Sequence, residues 1–199
     1  MSRLGIGDDS VVVAYDDSGG VTAGRLVWML RAIGRPAALL DGGLAAWTGP
    51  LSHESESRPP ASFSPTRWPA ARLVDADQAA ASAAGPTGVV LDARSSERFA
   101  GENEVIDPRA GHIPGAANLP SRAVLDDTGR LLSAGELRRR FTETGIDDAA
   151  DVTVYCGSGV SACIVLLALE VAGVGDAKLY PPSWSGWSAD VERPAATGR

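Results

Sequence analysis

Cys156 and the residues that follow it carry the clearest chemistry in this chain. In Val152-Thr-Val-Tyr-Cys156-Gly-Ser-Gly-Val-Ser-Ala-Cys163, β-forming residues lead into a cysteine, glycines and serines follow it, and apolar residues then recur at helical period from Ile164 to Ala172. The order reads strand, tight loop, helix. A thiol at that address faces free backbone N–H groups and the positive end of a helix dipole, and both stabilise thiolate over thiol. Gly157 and Gly159 let the loop curl so that its amides converge on one centre, a nest for an anion, while Ser158 and Ser161 place hydroxyl donors at the rim. The chemistry expected is nucleophilic attack by sulfur. Cys163 falls on the apolar helix and is expected to be core filler. A disulfide between the two cysteines is not expected, because a loop and a helix turn leave them badly placed for one.

Other uses of these residues fit less well. A cysteine phosphatase needs an arginine six positions after the cysteine to cradle phosphate, and Ala162 stands there. A serine hydrolase would show Gly-x-Ser-x-Gly, whereas Gly159-Val-Ser-Ala-Cys163 ends in cysteine. With only two histidines, a Cys-His dyad or a zinc site lacks material. His53 lies in a polar stretch and reads as solvated. His112, among turn formers, is expected to hydrogen-bond the backbone of its own turn.

The elements that must position Cys156 alternate between strand and helix. In the second half, a helix is expected from Asp75 to Ala84, a strand over Val89 to Asp92, a short strand over Ala117 to Leu119 and a helix from Ala134 to Thr144. Asp92 and Arg94 read as an ion pair bracing a loop, and Arg138-Arg-Arg140 as a solvated face. In the first half, Val11 to Tyr15 reads as a strand, Thr22 to Ile33 as a helix ended by Gly34, and Ala37 to Leu40 as a second strand. Together these predict an α/β fold with a central parallel sheet in three layers.

The first half also repeats the end of the chain. Tyr15-Asp16 precedes Tyr155-Cys156 by 140 positions, and Leu40 and Trp47 precede Tyr180 and Trp187 by the same interval. Gly20-Val-Thr-Ala matches Gly159-Val-Ser-Ala with a one-residue slip. An internal duplication is the simplest account. Asp16 occupies the cysteine's place, so the first copy is expected to be inactive. The second copy has about 80 residues before its cysteine and the first only 15 before Asp16. The expectation is therefore one complete domain plus a partial copy, either because the start lies upstream or because the protein is a natural fragment. The boundaries expected are a partial domain over 1–49, a Pro/Ser-rich linker over 50–70, the catalytic domain over 71–191 and a tail over 192–199.

Composition sets outer bounds. The 199 residues are 44% hydrophobic, with 23 glycines and 13 prolines, as in a globular protein. A net charge of -7 gives no basic footprint for nucleic acid or an anionic membrane surface. No apolar run approaches the ~20 residues needed to span a bilayer, and no charged start precedes an apolar leader segment. Two unpaired cysteines suit a reducing cytosol, so a cytoplasmic location is expected.

Four segments in register carry a resemblance: Leu91-Asp-Ala-Arg94 with Glu97-Arg98-Phe99, Gly111-His-Ile-Pro-Gly-Ala-Ala-Asn-Leu-Pro120, the Cys156 loop, and Leu179-Tyr-Pro-Pro-Ser-Trp-Ser-Gly-Trp187. They resemble the two-domain rhodanese family, and the Gly-Ser form of the loop is similar to 3-mercaptopyruvate sulfurtransferases. The resemblance implies a rhodanese-like fold and a sulfurtransferase that moves a sulfane sulfur through a Cys156 persulfide, in ping-pong fashion, without metal or organic cofactor. It implies that Arg98 grips the anionic end of the donor, with residues 157–161, that is Gly157, Ser158, Gly159, Val160 and Ser161, forming the cradle. Arg109 is the candidate for a second family arginine, at a different spacing. Neutral Gly157 and Ser158, where thiosulfate enzymes carry basic residues, favour 3-mercaptopyruvate over thiosulfate. Pro181-Pro182 and Gly186 depart from the family's Asp-Gly and acid. The implied partners are a small sulfur donor and a thiol or cyanide acceptor, with a protein sulfur acceptor or self-association through the incomplete first domain also open. The alternative reading is a poorly active or non-catalytic sulfur-relay or binding module.

Overall fold

The structure is a computed structural model that describes residues 1–54, 57–147 and 151–198. Residues 55 and 56 of the expected linker and residue 199 of the expected tail lie outside the described residues. Two parallel sheets carry the fold. The first pairs β1 (Val12–Ala14) with β2 (Ala37–Leu39), joined through α1 (Ala23–Ala32). The second contains β3 (Val89–Asp92), β4 (Ala117–Asn118), β5 (Val152–Tyr155) and β6 (Lys178–Leu179), in the order β4-β3-β5-β6. Its helices are α2 (Ala76–Ala84), α3 (Ser96–Ala100), α4 (Ala134–Glu143), α5 (Ala162–Val171) and α6 (Ser183–Ala189).

Local chemistry starts these helices where the sequence places them. Asp75 accepts from the Gln78 amide at 2.8 Å while the Gln78 side chain accepts from the Asp75 amide at 2.9 Å, a reciprocal cap on α2. Ser133 and Glu136 make the same arrangement at α4. The pleat then builds the layers. Val90 and Tyr155 point into a core with Ala79, Ile113, Trp184 and Trp187, under α2 and α6. Leu91, Val152 and Val154 point to the opposite core, against α4 and α5. Strands covered on both faces read as continuous apolar runs rather than alternating ones, as β3 and β5 do.

The duplication is visible in backbone pairing. Ala14 pairs with Leu39 and Val154 with Leu179, the same register 140 positions apart. The amides of Leu40 and Tyr180 repeat the correspondence, donating to Ala14 and Val154 at 2.9 and 3.0 Å. The copies meet through their equivalent helices: Gly24 of α1 lies where a Cβ would be 3.6 Å from the Ile164 Cα, so α1 crosses α5 closely. Every residue of α5 from Ala162 to Leu169 is consequently buried.

Two local expectations need correction. The Arg138-Arg-Arg140 run is not simply solvated, because Arg138 donates to the Ala172 and Gly173 carbonyls at 2.9 and 3.0 Å and so closes the end of α5. The ring of His112 does not bond its own turn; it stacks on Phe99 at 3.7 Å, with Nδ1 2.8 Å from the Phe99 carbonyl. Within the expected linker, the Ala61 amide donates to Ser2, and Ser64 donates to Asp8 through both amide and hydroxyl. Residues near the C-terminus also fold back, with Ala196 and His112 exchanging both backbone hydrogen bonds. Among the described residues, no helix is long and apolar enough to cross a membrane.

Asp16 is the polar centre of the first copy. Its Oδ1 accepts from the amides of Ser18 and Gly20 at 2.9 and 2.7 Å, and its Oδ2 from those of Thr22 and Ala23 at 2.8 and 2.7 Å. Partial burial opposes its ionisation, but the four amides outweigh it and hold the carboxyl below its ordinary 3.8. A depressed native value contributes stability that is present above the unfolded value and lost as pH falls through the native one. Asp16→Asn is therefore expected to cost about 2 kcal/mol in urea unfolding at pH 7, with the gap to wild type closing below pH 3.8. A gap that stays constant down to acid would contradict this role.

Candidate active site

The strand ends of the second sheet bring together one cleft. Cys156 follows β5, Ser95 to Arg98 follow β3, and Pro120 to Arg122 follow β4, and all of them line a cavity of about 620 Å³. Ligand clefts at the carboxyl ends of parallel strands are the rule for such sheets. Gly157, Ser158, Val160 and Ser161 also line it, as does Val21 from the first copy. Gly159 does not: it turns under the loop at φ 74°, packed so closely on the Pro181 carbonyl that a Cβ would sit 2.7 Å from it. Cys156 is 2% exposed, so a donor reaches it only through the cleft.

The loop amides are the electrostatic feature of the site. Among the described residues no acceptor takes the amides of Gly159, Ser161 or Ala162. Their counterparts one repeat earlier, those of Gly20, Thr22 and Ala23, are three of the four that hold the Asp16 carboxylate. The same backbone thus holds a built-in anion in one copy and is open beside a cysteine in the other. Cys156 itself is fixed from behind. Its amide donates to Ser183 Oγ at 3.1 Å, and its carbonyl accepts from the Trp184 amide at 2.9 Å. Ser183 is fully buried, passes its own proton to the Tyr180 carbonyl at 2.9 Å, and has φ 54°, alone among non-glycine residues described. Its repeat counterpart is Gly43 at φ 59°, where a Cβ would collide with the Asp16 carbonyl. Sequence reading missed Ser183, although a serine where the repeat has glycine was the available signal.

The arginines divide sharply. Arg94 is buried and grips Asp92 through Nε at 3.0 Å and Nη2 at 2.6 Å, the brace expected, and also reaches Glu104 at 3.3 Å. Arg98 lines the cleft, but its Nε and Nη2 are held by Glu104 and its Nη2 also by Asp107 at 2.8 Å. Its Nη1 is left facing Gly157, 3.6 Å from where a Cβ would be. Burial disfavours the Glu104 carboxylate, but Arg98 and two backbone amides more than offset this and hold it below the usual glutamate range. Arg109 is not in the cleft. Its guanidinium donates to the carbonyls of Trp187, Ser188, Asp190 and Arg193, closing the end of α6, so the expectation that it touches the donor is corrected. Arg25 of α1, unanticipated, reaches across from the first copy to the Ser158 carbonyl at 3.4 Å.

The two departures beside the loop are in contact. A Cβ at Gly186 would collide with the Pro182 Cβ, so the glycine at 186 makes room for a side chain at 182.

Comparison with known proteins places the chain in a family. Residues 75–190 match the model of the rhodanese-like domain. The chain belongs to the rhodanese family of sulfurtransferases. It is 44% identical over 206 residues to a Mycobacterium tuberculosis protein provisionally named a thiosulfate sulfurtransferase, covering all of this chain and 71% of that one. Over 204 residues it is 43% identical to a Pseudomonas aeruginosa protein provisionally named a 3-mercaptopyruvate sulfurtransferase, covering all of this chain and 72% of that one. The solved 3-mercaptopyruvate sulfurtransferase from Leishmania major superposes with a TM-score of 0.82 at 32% identity, over 98% of this chain and 55% of that one. Relatives at 44% and 43% identity thus carry names with different donors.

Cys163 is set apart from Cys156 by burial. Desolvation pushes its thiol up to about 12, Arg25 opposes this, and Sγ lies 3.3 Å from the Gly159 carbonyl, so the thiol braces the loop from beneath. Iodoacetamide at pH 8 is expected to label Cys156 and leave Cys163 unlabelled, read by peptide mass. Ser183→Ala strands the Cys156 amide and is expected to cost about 1–3 kcal/mol of stability and about tenfold or more in kcat. Unchanged kcat would remove Ser183 from the positioning of Cys156.

Proposed function

We propose that this sulfurtransferase takes its sulfur from 3-mercaptopyruvate, with thiosulfate second, and that Cys156 carries it as a persulfide. The observation that supports this reading is the set of open amides at Gly159, Ser161 and Ala162 beside Cys156, whose repeat counterparts close on the carboxylate of Asp16. In the first half-reaction the Cys156 sulfur attacks the donor sulfur. An S–S bond forms, the donor's C–S bond breaks with its electron pair, and the resulting enolate takes a proton, for which Ser158 and Ser161 are the nearby hydroxyls in the cleft. With thiosulfate the bond broken is S–S and sulfite leaves. In the second half-reaction an acceptor thiolate or cyanide attacks the outer persulfide sulfur and the Cys156 thiolate departs.

Residues 157–161 form the anion cradle, and Arg98 orients the donor through Nη1, the one guanidinium nitrogen its carboxylates leave free. Neutral Gly157 and Ser158 favour the 2-oxo acid over the thiosulfate dianion. The unit spanning 71–191 holds this site, the 1–49 copy supports it through α1, and 50–70 joins them. The acceptor is a thiol, free or on a protein. The outward row of Val11, Val13 and Tyr15, 74%, 57% and 53% exposed, supports self-association or protein docking at the first copy.

Intact mass after incubation with each donor tests the reading. Gain of one cyanide-removable sulfur by wild type and none by Cys156→Ser is expected, with 3-mercaptopyruvate loading faster. Faster loading from thiosulfate would reverse the donor order, and no gain from either donor would favour a binding module over an enzyme.

A further inference from the structure

On the β3 side of Cys156 the charge does not balance for an anionic donor, while Arg25 of α1 is turned to the Ser158 carbonyl at 3.4 Å. The arginines nearest the loop from β3, Arg94 and Arg98, are bound to Asp92, Glu104 and Asp107. Those three carboxylates have side chains 0%, 3% and 4% exposed. Two guanidinium charges against three carboxylates leave this cluster one negative charge in excess. In a poorly screened cleft such an excess repels an incoming anion. Arg98 can still offer a hydrogen bond from Nη1, but its charge is already spent.

We propose that Arg122 supplies the positive charge that the cleft uses to hold the donor's anionic end. This rests on the reading that the donor is a small anion. Arg122 lies in the one-turn helix Ser121–Val124 that follows β4 and lines the cavity with Cys156. It is exposed, and among the described residues its guanidinium has no hydrogen-bond or ion-pair partner, unlike those of Arg94, Arg98 and Arg109. It also borders the neighbouring cleft of the first copy, where Asp16, Asp17 and Asp127 stand, yet pairs with none of them. Asp16 has no demand for it, because four amides already fill its oxygens. The guanidinium rests against Gly19, with Nη1 3.1 Å from where a Cβ would be, so the first copy leaves it room on the rim. An arginine so placed can grip a carboxylate or the sulfonate end of thiosulfate with two parallel hydrogen bonds.

A pair of alkylating reagents tests this without relying on sulfur transfer. Iodoacetate carries a carboxylate and iodoacetamide does not, so the ratio of their rates at Cys156 reads the local preference for an anion. Arg122→Ala is expected to lower that ratio about five- to twentyfold, and Arg122→Lys to retain most of it. Arg139→Ala removes the same charge from an exposed site on α4, 68% exposed, and is expected to leave the ratio unchanged. In steady state Arg122→Ala should raise KM for 3-mercaptopyruvate and thiosulfate with a smaller effect on kcat, and the donor that suffers more identifies the anion it grips. An unchanged alkylation ratio in Arg122→Ala, or an equal fall in Arg139→Ala, overturns the proposal. Failure of wild type to load sulfur from either donor would instead sink the donor reading, while the alkylation ratio still decides the role of Arg122.

Discussion

The burial of α5 on all sides is the constraint from which the rest of this structure follows. Its first eight residues are inaccessible, between β5 and β6 on one side and α1 and α4 on the other. A helix apolar all round has no solvent face to present, so something must cover the side that the sheet does not. The first copy supplies that cover with α1, its own version of the same helix. The N-terminus of α5 is thereby fixed in position, and with it the loop that carries Cys156. The Cys156 loop and the interface between the copies are thus two ends of one packing arrangement.

The loop itself shows how one backbone serves two purposes. Convergent amides at a helix start create an unmet demand for negative charge. In the first copy a covalently attached carboxylate meets it, and the loop, longer by one residue between Asp16 and Ala23, closes into a structural knot. In the second copy a cysteine stands in that place, and the demand is left for whatever charge develops on sulfur or arrives with a donor. The first copy is in this sense an internal picture of the occupied nest. Ser183 marks the cost of the arrangement, since it holds a backbone conformation that glycine fills in the repeat, and its hydroxyl is what the strained position provides.

Charge is arranged by similar economy. Arginines that the motifs single out are spent on structure: Arg94 on a buried acid, Arg98 mostly on two acids, Arg109 on the carbonyl end of α6. Buried ion clusters of this kind hold loops in register because leaving one member unpaired is costly. They do so by neutralising the very groups that would otherwise attract an anion, and attraction then falls to a cation on the rim.

Much was legible in the residues alone. The strand-loop-helix order at Cys156, the helices beginning near Asp75 and Ala134, the Asp92 and Arg94 brace and the 140-residue repeat are local or periodic properties, and local chemistry reports them wherever the chain goes. Arg109 and the partner of His112 were misplaced, and Ser183, Arg25 and Arg122 went unseen, for a common reason. A side chain's partners are set by which distant segments pack beside it, and an arginine reads the same whether it will meet a carboxylate, a row of carbonyls or nothing. Sequence by itself determined the candidate cysteine, its strand-loop-helix setting and the family. Only the tertiary structure decided which cations remain unpaired beside Cys156, because pairing depends on distances that no spacing along the chain fixes.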